Sequence, residues 1–182
     1  MIDYPLMIDE IPHRSFPKIP RVNNVNVIIT EKLDGTNGVI WVSEDKQHFK
    51  FGSRNKWVGY GKDDNAGFYQ FCMDNVDLLE RLDPGYHYGE FVGPGIQSNK
   101  YGLTEKMFYF FDTRLKNRFE DSKVLHTVPL VAVCDLRDIP QFLPLQGTKS
   151  AIGNTTVEGY MLFIPEAMKY IKCVYEKNRG EK

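Results

Sequence analysis

Two apolar runs near the start of the chain, Val25 to Thr30 and Val39 to Val42, are separated by Glu31-Lys32-Leu33-Asp34-Gly35-Thr36-Asn37-Gly38. Both runs are rich in β-branched residues and read as strands, so the charged octet between them must turn the chain. A lysine leaving a strand just ahead of Asp-Gly stands where its amine can reach a ligand, and the glycine lets backbone approach that ligand closely. Lysine also becomes a nucleophile once burial or positive neighbours lower its pKa. The plainer reading is a charged hairpin turn, which is common. The rest of the chain has to choose between them.

Several function classes fall away on composition. The 182 residues suffice for one domain with a substantial core. Net charge is −1, so no global basic field marks a nucleic-acid binder, although a local basic cleft remains open. Cys72, Cys134 and Cys173 are odd in number and unclustered, which suggests reduced thiols and a cytoplasmic setting (a host cytoplasm if the protein is viral). The start carries no secretory pattern and no run is long enough for a membrane span. Residues 1–24 hold four prolines and read as an extended lead-in, and Glu176 to Lys182 as a charged tail.

Further strands are expected at 48–53, 86–92, 107–113, 128–135, 157–164 and 169–176, with helices at 66–82 and 118–126 and short turns over 136–155. Strands outnumber helices and most connections are hairpin-length. The fold class is therefore α+β, with largely antiparallel sheets and flanking helices.

Five more stretches carry candidate chemistry. Arg54 follows the third strand, placed for a hydroxyl or a phosphate. Glu90 lies among Gly89, Gly93 and Gly95, where a carboxylate suits a ribose hydroxyl or a hydrated metal. In Met107-Phe108-Tyr109-Phe110-Phe111-Asp112, period-two geometry sets Phe108, Phe110 and Asp112 on one face and Tyr109 and Phe111 on the other. One aromatic face can stack on a base, although such strands more often fill a core. Glu158-Gly159 opens a late strand, and a carboxylate there calls for a metal partner. Lys172 sits between apolar neighbours in the last strand, as a solvated edge lysine or a phosphate holder.

In that order the motifs resemble the signature of covalent nucleotidyltransferases, the polynucleotide ligases and mRNA capping enzymes. Glu31 to Asn37 and Gly89 to Gln97 closely resemble the nick-sealing RNA ligases of bacteriophages and kinetoplastid RNA editing, and Phe108 to Asp112, Glu158-Gly159-Tyr160 and Ile171-Lys172-Cys173 agree. The resemblance implies an adenylyltransferase domain with an ATP-grasp-like cleft; many ligases append a carboxyl-terminal domain, and none is expected here because the sequence stops just after the last motif. It implies ATP and Mg²⁺ as cofactors, with Mn²⁺ an alternative, and RNA or a nicked duplex as partner. An accessory nucleic-acid-binding protein is a further expected partner. By similarity Lys32 takes up AMP, with Asp34, Asn37 and Lys172 assisting catalysis. Arg54 and Glu90 hold the ribose, Phe108 stacks on adenine, backbone near Glu31 and Lys32 selects the base, and Glu158 orders the metal. The family has Lys-x-Lys in its last motif where this chain has Lys172-Cys173-Val174. A DNA ligase core and a non-catalytic nucleotide or nucleic-acid binding module are the competing readings.

Overall fold

Alternation along each strand decides this architecture, because both sheets are covered on one side by apolar packing and turn their other faces toward each other. The computed structural model describes residues 25–61 and 64–175, together with Ser15, Lys18 and Arg21. The expected lead-in and tail fall almost wholly outside the described residues.

One sheet has four antiparallel strands in the order β7 (Leu130–Asp135), β1 (Asn26–Glu31), β8 (Gly159–Ile164) and β9 (Lys169–Val174). The other has five, in the order β3 (Phe49–Gly52), β2 (Thr36–Val42), β4 (Gly85–Val92), β5 (Met107–Phe110) and β6 (Leu125–Thr127). Only the β5–β6 pair among these is parallel.

In β1, Val27 and Ile29 are fully buried on the outer side with Tyr160 and Leu162, against a layer that includes Ile139 of the short helix α3 (Ile139–Phe142). Thr30 pairs with Met161 and Met161 with Lys172, so these three form a row on the inward face. In the larger sheet, Ile40, Phe91, Phe108 and Phe110 pack outward against Phe68, Phe71 and Leu79 of α1 (Phe68–Asp74) and α2 (Val76–Leu79). Its inward face carries Asn37 opposite Glu90 and Glu90 opposite Tyr109. A smaller cluster of Leu33, Val92, Tyr101, Tyr109 and Val128 fills the space beneath the β1–β2 crossing.

The helices differ from the expectation most. The helix foreseen over 66–82 divides at Asn75, whose φ of −120° leaves helical space and whose side-chain Nδ2 donates to the Phe71 carbonyl. The helix foreseen over 118–126 is absent. Instead a 3-10 turn spans Thr113–Arg118, with the Asp112 carboxylate accepting from the Arg114 amide at its start. The Ser122 hydroxyl then accepts from the Val124 and Leu125 amides, and the chain enters β6. Pairing with β5 satisfies the backbone of 125–127 and buries Leu125 completely, while Phe119 stacks 5.0 Å from Phe110. Those tertiary gains override a helical pattern that local propensity allowed.

Phe108 is wholly buried, 5.3 Å from the Phe68 ring and 4.9 Å from Phe110. Phe108→Ala is therefore expected to lower the unfolding free energy by about 3–5 kcal/mol. Urea denaturation reads it, and a loss below about 1 kcal/mol would contradict this placement.

Candidate active site

Four residues, Lys32 to Gly35, carry the chain from the end of β1 in one sheet to the start of β2 in the other. The Lys32 amide still donates to the Gly159 carbonyl, so Lys32 continues the ladder of β1. The chain then leaves the sheet, and its exposed amides find fixed partners. The Asp34 amide donates to the Tyr101 hydroxyl at 2.7 Å, and the Gly35 amide to Oε1 of Glu90 at 3.0 Å. The Gly35 carbonyl accepts from the Gln97 side chain at 3.3 Å. A Cβ at position 35 would stand 2.3 Å from the Phe91 carbonyl oxygen, so only glycine can cross β4 this closely.

Around this crossing the charged residues converge. Lys32 Nζ lies 2.8 Å from Oε2 of Glu158, both side chains about a quarter exposed. Asn37 donates from Nδ2 to Oε2 of Glu90 at 2.9 Å, and its Oδ1 accepts from Nε of Arg54 at 2.8 Å. Arg54, Asn37, Glu90 and the Gly35 amide thus form one continuous chain of hydrogen bonds. Burial pushes the Glu90 carboxyl up to about 7, against the opposing pull of the Gly35 amide and the charges of Lys32 and Arg54, while Asp34 adds to the rise. Burial likewise raises the Tyr101 hydroxyl.

Lys172 lies on the inward face of β9 in the row Thr30–Met161–Lys172, and no hydrogen bond or ion pair engages its amine among the described residues. Val174 pairs with Gly159, so it occupies the next row, the one Lys32 continues. Lys169 pairs with Ile164 and is an odd number of residues from 172, which turns it to the other face. Lys177 lies outside the described residues.

One expectation needs correction. Phe108, expected to stack on adenine, faces the outer core, because Phe108 and Phe110 share the side of β5 that meets α1. The aromatic residues that face inward are Tyr109 and Phe111. Phe111 lines a cavity of about 440 Å³ between the sheets with Ile28, Thr30, Phe163 and Tyr170, whose last two rings stack at 4.5 Å. Thr30 precedes Lys32 by two residues on the same face, roughly 7 Å along a strand, so a nucleotide base in this cavity would leave its phosphates near the lysine. The Glu31 side chain, for which only backbone contacts were expected, lies apart from this cavity. It is buried on the far side of β1, accepting from the Ser150 hydroxyl and the Ala151 amide, and it anchors that loop. The Glu31 and Lys32 amides are also taken, by the Pro129 and Gly159 carbonyls.

Tyr101, Gln97 and Ser150 belong to the supporting structure and were not foreseen in these roles. Gln97 stood in the glycine-rich stretch, but Tyr101 and Ser150 lie in loops with no periodic signal. No group of three or more His, Cys, Asp or Glu residues among the described ones suits a metal ion by itself. Glu158 alone still fits Mg²⁺ or Mn²⁺, since such ions keep several waters and take one or two carboxylates plus substrate phosphates.

The arrangement defines a cleft between two sheets, with a lysine one row beyond Thr30 of its lining and a carboxylate-held crossing nearby. Residues 25–168 match the RNA ligase family, and the chain belongs to that family. Comparison with curated proteins gives no match. Solved structures of Naegleria gruberi RNA ligase share the fold. A glutamate-to-alanine variant with ATP and Mn superposes with a TM-score of 0.68 at 19% identity, covering 85% of this chain and 51% of that one. A lysine-to-methionine variant with AMP and Mn gives 0.64 at 19%, covering 84% and 50%. The chain thus spans about half the length of the ligases it matches.

The Glu90 carboxyl supplies a test by pH. Its folded-state value of about 7 lies above the ordinary 4.5, so its neutral form is favoured on folding. The associated stability is present below the unfolded value and is lost as pH rises through 7. Relative to Glu90→Gln, wild type is expected to lose on the order of 2 kcal/mol between pH 5 and pH 8. Denaturation series at several pH values measure it, and a pH-independent difference would contradict the burial argument.

Proposed function

We propose that this protein is an ATP-dependent RNA ligase that joins 5′-phosphate and 3′-hydroxyl ends through a lysine-linked AMP. The observation that carries the reading is the Lys32 amine held by Glu158, two residues along β1 from Thr30, which lines the cavity between the sheets, in a chain of the RNA ligase family.

The Lys32 nitrogen pair attacks the α-phosphorus of ATP, forming the N–P bond as the bond to the β-bridging oxygen breaks and pyrophosphate leaves. The amine must shed its proton first, and Glu158, 2.8 Å away, is placed to orient it and accept the proton. AMP then passes to an RNA 5′-phosphate, restoring the lysine, and a 3′-hydroxyl displaces AMP to close the strand. Glu90 and Arg54, joined through Asn37, offer an acceptor and a donor to ribose hydroxyls. Phe111, rather than Phe108, offers the ring for the base. Asp34, at the crossing, keeps its carboxylate beside the Glu90 network. Lys172 contributes a fixed positive charge to the inward face. A divalent cation, when bound, neutralises charge on the phosphate oxygens.

Of the cation pair in the family's last motif, this chain keeps Lys172 and has Val174 in place of the second lysine. Val174 occupies the strand row that runs to Lys32, with the side-chain-free Gly159 between them. Val174→Lys would therefore put a second amine on the lysine's own row. We also assign the protein to the cytoplasm, which suits three free cysteines, and expect an accessory nucleic-acid-binding protein to add grip on longer substrates.

Incubation with ATP labelled at the α-phosphate tests this reading on denaturing gels. Wild type is expected to retain label and Lys32→Ala to retain none, while an unlabelled wild type would favour a binding module. Glu158→Ala is expected to reduce labelling by at least about tenfold. Val174→Lys is expected to raise it, and unchanged or lower labelling would contradict the part given to that row.

A further inference from the structure

The outer end of the larger sheet bears a row of exposed aromatic rings that the core does not use. Trp57 and Tyr86 lie 6.4 Å apart at 25°, and Tyr86 and Tyr88 lie 6.3 Å apart at 12°. Their exposures are 41%, 57% and 53%, so burial does not account for three large rings held in near-parallel order. Trp57 is fixed in place. Its backbone bridges to Gly52, the next amide donates to the Phe51 carbonyl, and the indole lies over Gly52 so closely that a Cβ there would stand 3.1 Å from it. The Lys50 amine sits 4.8 Å from the ring centroid.

The row borders a trough of about 270 Å³ whose rim includes Arg54, Asn55 and Lys56. Arg54 connects this trough to the nucleotide site, since its Nε donates to Asn37 and Asn37 donates to Glu90. Tyr86 and Tyr88 also border the cavity between the sheets, so the row reaches from the surface trough to that cavity.

We propose that Trp57, Tyr86 and Tyr88 form a stacking platform for an unpaired RNA strand whose end is led past Arg54 to the lysine site. This inference rests on the RNA ligase reading and narrows it to substrates with unpaired bases at the joining end. Ring faces bind base faces, and base faces are open only where the strand is single, since a duplex covers them with its own neighbours. Every base has such a face, so the platform tolerates any sequence. Lys50, Arg54 and Lys56 supply a local positive field for the phosphates, although the chain as a whole carries −1. That cationic rim favours RNA over an apolar protein partner as the occupant.

Fluorescence anisotropy with a short labelled single-stranded RNA, and with the same sequence as a blunt duplex, tests the platform. Lysine labelling with ATP is measured on the same preparations. Trp57→Ala is expected to keep labelling within about twofold and weaken single-strand binding about tenfold. Trp57→Phe should recover most of that affinity, and Lys50→Ala should weaken binding more at low salt than at high salt. The duplex should bind less tightly and respond little to Trp57→Ala. Single-strand affinity unchanged in Trp57→Ala overturns the proposal, as does a duplex bound equally well and equally affected. Self-association of wild type that Trp57→Ala abolishes, with RNA affinity intact, would make the patch a protein interface and overturns it too. A wild type that takes no label yet binds RNA through Trp57 would uphold the platform while removing the ligase reading.

Discussion

Everything functional in this fold depends on how the chain crosses from one sheet to the other between Lys32 and Gly35. Such a crossing leaves sheet hydrogen bonding and would strand its amides, each costing about 1–3 kcal/mol if buried without a partner. Tyr101 and Glu90 remove that cost by accepting from Asp34 and Gly35. Because Glu90 also accepts from Asn37, and Asn37 from Arg54, the same contacts that hold the crossing align these polar residues with one another. Structure and site share one network, so a change at Glu90 reaches both.

The network has an electrostatic cost. A carboxylate as buried as Glu90 loses hydration, and two donors and two nearby cations recover only part of it, which leaves its proton affinity raised. A less buried acid would ionise more freely but could not lie against the Gly35 amide. At the opposite wall, Lys32 and Glu158 keep partial solvent contact, so their pair can open when a phosphate or a cation competes for either partner. The cleft therefore combines a rigid polar wall with a replaceable ion pair.

Strand positions were largely legible in the sequence because β-branched runs and alternation report directly on sheet faces. Lys32 meets Glu158, and Asn37 joins Glu90 to Arg54; the sequence singled these residues out through the order of its motifs, not through their spacing. Parity within Phe108 to Asp112 already separated Tyr109 and Phe111 from Phe108. Which side faced the cleft was not legible, because both faces of that strand are aromatic, and only the helices packed on one of them decide it. The same limit applies to 118–126, where burial of Phe119 and Leu125 by distant residues overrode the local pattern. The partners of Glu31 and Asp34, Ser150 and Tyr101, come from loops far along the chain, and no periodicity announces a contact of that kind.

The central claim is that one amine, on Lys32, becomes bonded to AMP. Peptide mapping by mass spectrometry of the protein after exposure to ATP and Mg²⁺ tests it most directly. The account predicts that the peptide holding Lys32, and no other, gains the mass of one adenylyl group. An adduct on a different lysine, or none anywhere in folded protein, would contradict it.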